Sequence, residues 1–442
     1  MKKTQWLRSV VLIALLALVA AACGGTGGTT TTTAADTTTA APTTTSGGET
    51  TTTGAPPEGG LILGGLLPET GSLAFLGPPE IAGALLAVED INAAGGVLGA
   101  DVTWIPGDSG DTSTDIANTT VDSHLAAGVH AIFGAASSSV SFTVIDKIVG
   151  AGVIQFSPAN TSQLFSTYDD NGLYFRTAPS DFLQGTILAD LVAADGLTAG
   201  VIYRQEPYGE GLAERFREVY EDLGGTVTNF IAYPPEGVTT FDAEVDQLVA
   251  ADPDAIVVIS FEEGSLILET MHARGIGPVS GKAVWGVDGN IGGLHNEMAD
   301  PSILAGMRGT TPSVDLSTIT DFTARLDAMI DGGLGGIYDY GAETYDAIVI
   351  TALAAAIAGS LDPVAIAAEI NDVTRGGTKC TTFAECIALV DAGEDIDYDG
   401  IGGPYEFVDA GEPAAASYRV ATLGENGPDA ALDVYIQAEL SD

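Results

Sequence analysis

Residues 131–156, AIFGAASSSVSFTVIDKIVGAGVIQF, carry the pattern that decides the fold. Ala131–Gly134 is a short apolar run of strand length, Ser138–Val149 reads as a helix, and Val153–Phe156 is a second strand-like run. Serine at a helix start satisfies free backbone N–H groups, and glycine beyond its end takes the left-handed cap. Strands alternating with helices of this length imply a parallel sheet covered on both faces.

The same alternation extends in both directions. Upstream lie the run Leu61–Leu67, a helical stretch from Pro79 to Ala94 stopped by Gly95-Gly96, the strand-like Val102–Ile105 and the helical Ser113–Ala127. The pattern restarts near Thr198, with strands at Ala199–Arg204, Val227–Ile231, Ala255–Ser260 and Ala283–Gly286. Helices are expected between them at Tyr208–Leu223, Phe241–Ala250 and Glu262–Arg274. A long helical region is expected from Leu316 to Asn371, then short strands such as Tyr405–Val408 and Val434–Gln437. Two series of this kind predict an α/β chain of two doubly wound parallel-sheet lobes. Ligands on such sheets sit beyond the carboxyl ends of the strands, so the cleft between the lobes is the expected site.

Strand ends therefore supply the candidates. Ser137-Ser138-Ser139 opens a helix after the strand at 131–134, where N–H groups and hydroxyls suit a carboxylate or simply cap the helix. Ser157-Pro158-Ala159-Asn160-Thr161 and Val287-Asp288-Gly289 follow two further strands, and Asp288 suits an ammonium or a loop cap.

The first 58 residues read differently. Lys2, Lys3 and Arg8 precede the apolar stretch Val10–Ala21, which is shorter than the roughly 20 residues of a membrane-spanning helix. Ala20-Ala21-Ala22-Cys23 then matches a lipoprotein signal over residues 1–22, with Cys23 as the lipidated residue. Residues 23–58 are nearly all Thr, Gly, Ala and Pro, a composition that forms a flexible tether. The location expected is extracytoplasmic, on the outer face of the cell membrane.

The chain holds 15 Lys+Arg against 60 Asp+Glu, and loss of residues 1–22 leaves 12 against 60, a net charge of −48. That field repels nucleic acid and anionic lipid, so neither is an expected partner and the lipid anchor is the one membrane contact. With Cys23 lipidated, Cys380 and Cys386 remain, and in an exported chain they read as a disulfide clipping a local turn.

Taken in order, Leu67-Pro68-Glu69-Thr70-Gly71, Asp90-Ile91-Asn92-Ala93-Ala94-Gly95-Gly96, Ser137-Ser138-Ser139, Ser157-Pro158-Ala159, Arg176-Thr177-Ala178, Tyr208-Gly209-Glu210-Gly211-Leu212 and Tyr345-Asp346-Ala347 carry a resemblance. From about residue 60 to its end the chain resembles the branched-chain-amino-acid-type solute-binding proteins of ABC importers, of the type I periplasmic-binding-protein fold. The resemblance implies that the Ser138 hydroxyl and nearby backbone, with Thr161, hold a ligand carboxylate. The Ala159 carbonyl, the Thr161 hydroxyl and Asp288 would hold an α-ammonium, and Tyr208 would close over the ligand. Leu76 stands where relatives keep an aromatic residue. Ala136 and Ser137 line the wall, with Phe261 from the second lobe and Tyr340 from the first. Asp288 stands where leucine-binding members carry Glu, keeping charge with a shorter reach.

Three hinge crossovers are implied, near Thr177–Pro179, Thr310–Pro312 and Asp399–Gly403. Lobe one would comprise 59–177 plus 312–400, and lobe two 178–311 plus 401–442. The expected function is capture of an uncharged aliphatic or aromatic amino acid by hinge closure, as a monomer without a cofactor, for delivery to a permease and ATPase complex. Importers of urea, amides or small carboxylates, and ligand-sensing lipoproteins, share this fold. An enzyme is not expected, since the chain has no Gly-x-Ser-x-Gly elbow, phosphate loop or paired histidines. One motif competes: Asp395, Asp397, Asp399 and Glu406 satisfy an EF-hand calcium-loop spacing, although Pro404 lies inside it and Tyr405–Val408 reads as a strand.

Overall fold

Five parallel strands form the first sheet in the order β2-β1-β3-β4-β5: β1 (Ile62–Leu66), β2 (Thr103–Ile105), β3 (Ala131–Gly134), β4 (Ile154–Ser157) and β5 (Tyr174–Arg176). The computed structural model describes residues 59–439; the expected leader, the tether and Cys23 lie outside them. Every residue of β3 and β4 is buried, as a sheet covered on both faces requires. Successive side chains take opposite faces. Phe133 and Phe156 pack among α1 (Gly77–Ala93) and the helix Gly341–Ala358, while Ile132 meets Val121 of α2 (Ile116–Ala127) and Val140 and Val144 of α3 (Ser138–Gly150). The helix Gly341–Ala358 is apolar and long enough to cross a membrane, but Gly341–Ala355 is buried throughout, so it is the core helix of this lobe. It lies so close to α1 that a Cβ on Gly83 would stand 2.2 Å from the Gly341 carbonyl oxygen.

The second sheet contains β6 (Thr198–Arg204), β7 (Thr226–Tyr233), β8 (Ala255–Ile259), β9 (Ala283–Gly286) and β10 (Arg308–Pro312), parallel in the order β7-β6-β8-β9-β10. Beyond β10 it is mixed, because the strand Ala415–Gly424 runs antiparallel to β10 and Val434–Glu439 antiparallel to that strand. The direction follows from the path. The chain leaves this sheet at Pro312, on the hinge side, and re-enters from that side at Ala415, so it must run opposite to β10. The last strand then pairs after the short connection 425–433, with no helix to carry a parallel crossover.

The first passage between lobes joins β5 to α4 (Asp181–Ala193), and the second follows Pro312. The third differs from expectation. Tyr405 and Phe407 pack in the first core, the Arg176 N–H donates to the Gly411 carbonyl at 2.9 Å, and the second sheet begins at Ala415. Asp399–Gly403 therefore lies within the first lobe, where it folds back as a hairpin pairing Asp399 with Pro404 and Gly400 with Gly403. Asp346 of the core helix fastens that turn, accepting from the N–H groups of Ile401 (3.0 Å) and Gly402 (2.7 Å) and the hydroxyls of Tyr398 (2.6 Å) and Tyr405 (2.7 Å).

The long helical region is also divided, into Thr320–Met329, Gly341–Ala358 and Pro363–Ile370. The candidate calcium loop is instead the strand Ile396–Gly400 and its turn. The Lys379 ammonium stands among its carboxylates, 2.8 Å from Asp397, 2.9 Å from Asp399 and 3.1 Å from Glu406, where a cation would have to sit. Cys380 and Cys386 form a disulfide between the strand Thr378–Cys380 and the helix Phe383–Asp391.

Candidate functional site

Two polar loops at the carboxyl ends of β3 and β4 form the first lobe's side of the cleft, and they are stitched to each other. The Ser157 hydroxyl donates to the Ala135 carbonyl at 2.7 Å, and the Asn160 amide donates to the carbonyls of Ala135 (2.9 Å) and Ala136 (2.8 Å). Arg176, at the end of β5, reaches back to the carbonyls of Asn160 (3.1 Å) and Ser162 (2.8 Å) while pairing with buried Glu412. Ala159 and Thr161 thus sit on a segment fixed at either side. Ser138 is buried and its hydroxyl accepts from the Ser162 N–H at 3.3 Å; the Ser137 hydroxyl accepts from the Val140 N–H as the cap of α3.

The second lobe contributes longer side chains. Tyr208 stands in the first turn of α5 (Pro207–Asp222), and Asp288 begins a short helix just after β9. The Asp288 carboxylate accepts from the Tyr208 hydroxyl, the Tyr340 hydroxyl and the Gln184 amide, each at 2.8 Å. Tyr340, from the first lobe, holds a left-handed backbone (φ 61°) just before the core helix, a conformation rare for a bulky residue and imposed by its surroundings. Leu76, Ala136 and Ala159 from the first lobe join Phe261, Tyr208 and Tyr340 in one apolar cluster, with the Tyr208 and Phe261 rings stacked at 5.5 Å.

The cleft is closed. The Ser162 hydroxyl donates to the Pro207 carbonyl and the Gln163 amide to the Gly211 carbonyl, both at 3.0 Å. Gly293 of the second lobe approaches Phe75 of the first so nearly that a Cβ there would stand 2.7 Å from the ring.

Of the residues expected from the sequence, the structure groups Leu76, Ala136, Ala159, Tyr208, Phe261 and Tyr340 in this cluster and bonds Asp288 to two of its tyrosines; Ser138 and Thr161 are buried on the adjoining loops, and Ser137 spends its hydroxyl on capping. Two residues were not anticipated. Gln184 bonds Asp288 and also donates to the Thr310 carbonyl at 3.1 Å. Asp181 is fully buried, its N–H donates to the Thr161 carbonyl at 2.7 Å, and among the described residues neither carboxylate oxygen has a hydrogen-bond partner within ordinary distance. In the sequence Asp181 reads as an ordinary first-turn acid after the Ser180 cap. The available signal was its place immediately after the first crossover, which must lie beside the cleft.

Two βαβ lobes closing on a polar-and-apolar cleft match what comparison with known proteins finds. The periplasmic binding protein family model matches residues 61–428. The chain belongs to this family. Among its relatives, the chemotactic signal transduction system substrate-binding protein BasB of Halobacterium salinarum is 28% identical over 384 residues, spanning 83% of this chain and 87% of that one. The leucine-, isoleucine-, valine-, threonine- and alanine-binding protein of Pseudomonas aeruginosa is 30% identical over 188 residues, 41% of this chain and 48% of its own. Solved structures of the same fold include the branched-chain amino acid transporter substrate-binding protein LivJ of Streptococcus pneumoniae with isoleucine (TM-score 0.70, 21% identity, 86% of this chain and 100% of that one). A solute-binding protein of R. palustris with benzoate is another (TM-score 0.67, 15% identity, 87% and 98%). These relatives are solute-binding proteins and not enzymes, and the family is extracytoplasmic.

The electrostatics of the site suit a binding protein. Burial pushes the Asp288 carboxyl up, and the donors Tyr340, Gln184 and Tyr208 pull it back. Asp181 is pushed well up, first by burial and then by the nearby Asp288 charge. Both carboxyls are thus shielded from water, and burial works against the charge of each. Among the described residues no group of His, Cys, Asp and Glu could hold a metal ion.

Proposed function

We propose that this protein captures a free, uncharged α-amino acid between its lobes and presents it, closed, to an ABC importer from a lipid anchor on Cys23. The observation that carries the reading is the juxtaposition at the cleft. Asp288 and Asp181 stand with Thr161 at one end, and Leu76, Ala136, Phe261 and the two tyrosine rings enclose the rest. An ammonium meets the acids, with the Ala159 carbonyl and Thr161 hydroxyl beside it. Ser138 and the start of α3 take the carboxylate. The apolar wall takes an aliphatic or aromatic side chain. Ligand contacts made by both lobes exist only when the cleft is shut, so binding shifts the population toward the closed form.

Isothermal calorimetry of the soluble chain against single amino acids tests this. Saturable binding of leucine, isoleucine or phenylalanine, with aspartate and lysine far weaker, is the expected result. Binding confined to urea, an amide or an ammonium-free acid such as benzoate would overturn the amino-acid assignment. A second reading, a sensor that passes ligand occupancy to a chemotaxis receptor, is favoured by the likeness to BasB across most of the chain. Deletion separates the two: lost uptake supports the importer role, and lost taxis with uptake intact supports the sensor.

A further inference from the structure

The amino end of α3 carries a contact that the ligand site does not use. Glu206, in the turn between β6 and α5, is buried, and its two carboxylate oxygens face different lobes. Oε1 accepts from Arg204 Nε at 2.9 Å within the second lobe. Oε2 accepts from the Ser139 hydroxyl of the first lobe at 2.7 Å. Ser139 lies in the first turn of α3, whose free N–H groups give that end a partial positive charge, so a carboxylate there is favoured by the helix as well as by the hydroxyl.

The second lobe holds this carboxylate rigidly. Arg204 is itself buried and bonds Glu263 at 2.7 Å, and the Tyr233 hydroxyl donates to Glu263 at 2.6 Å. The Arg204 guanidinium lies 4.2 Å from the centre of the Phe261 ring, the same ring that stacks on Tyr208. Glu206 therefore arrives at the cleft with its charge balanced from behind, its position fixed and one oxygen left for the opposite lobe. Opening the cleft removes the Ser139 donor from that oxygen, while the bonds to Arg204 stay within one lobe.

We propose that Glu206 and Ser139 form an interlobe latch, positioned by Arg204, that stabilises the closed cleft whether or not a solute is inside. Ser139 and Glu206 are positioning residues. Their side chains, bonded to each other beside Ser138, strengthen binding by slowing reopening. A hydrogen bond to a charged acceptor is among the stronger kinds.

Single-molecule energy transfer between dyes on Ala126→Cys of α2 and Ala250→Cys of the second lobe tests the latch in solute-free buffer, so the result does not depend on which ligand the cleft takes. The wild-type chain should make closed excursions. Ser139→Ala and Glu206→Gln should each shorten the mean closed dwell about tenfold, the equivalent of ~1.4 kcal/mol. The double variant should be no shorter than the worse single, and Ser139→Thr, which keeps the hydroxyl, should restore the dwell. A wild type that never closes when empty would overturn the proposal. Unchanged dwells in either single variant, or effects that multiply in the double, would do the same.

Discussion

The two sides of the cleft are built from different materials. The first lobe offers backbone and short side chains (Ser138, Ala159, Thr161) on loops pinned by Asn160 and Arg176. The second offers aromatic and acidic side chains (Tyr208, Phe261, Asp288) at the ends of strands and helices, joined to one another through Tyr208 and to Tyr340 across the cleft through Asp288. The difference separates two tasks. On the proposed reading the pinned side would fix where the common amino and carboxyl groups of a solute lie, since small groups on locked backbone cannot adjust. The other side supplies charge and bulk, and it completes the site only on closure.

Breaking the pinned side should have the largest effect. Arg176 is wholly buried, pairs with Glu412 and holds two carbonyls of the loop bearing Ala159 and Thr161. Arg176→Met leaves Glu412 buried and unpaired, so stability should fall by about 3–5 kcal/mol in urea unfolding. A loss below ~1 kcal/mol would mean the loop is held by other contacts. Breaking the opposite side should spare stability and strike affinity. Asp288→Ala should weaken amino-acid binding by about 2–5 kcal/mol, and a calorimetric constant within threefold of wild type would remove Asp288 from the ligand set.

A smaller effect is expected where the lobes meet. The Glu343 carboxyl, at the start of the core helix, is pushed up to about 8, chiefly by burial; its backbone carbonyl accepts from Thr177 of the first crossover at 2.9 Å. Raised above its unfolded value, this acid binds its proton more tightly in the native state, so its contribution is complete in acid and is lost as pH rises toward 8. The wild type should lose about 1–2 kcal/mol from this group between pH 6.5 and 8. Glu343→Gln should remove that slope in unfolding curves, leaving the share of Glu80, whose carboxyl is also raised by burial and by Glu343. Equal slopes in variant and wild type would show that Glu343 is ionised in the fold.

Local pattern made the two βαβ series legible. In the segment at 131–156 the strands and the serine-capped helix fall where caps and apolar runs place them. What failed were features set by the chain's return path. The Gly400–Gly403 turn resembles a linker in composition, yet Asp346, more than 50 residues away, accepts from its backbone and ties it into the first lobe. The antiparallel edge of the second sheet depends on the direction of re-entry at Ala415, which no local signal encodes. In the site, Asp288 was found because strand ends face the cleft. Asp181 and Gln184 sit on a helix buried around most of its surface, where polar residues give no local signal, and only the nearness of a crossover points to the cleft.

The missing side chain at Gly293 has a mechanical meaning. The backbone there comes to rest against the Phe75 ring with no room for a methyl group, so the ring acts as a doorstop that sets how far the halves travel before they touch. Travel determines the depth of the shut chamber, and depth determines the bulk it can enclose.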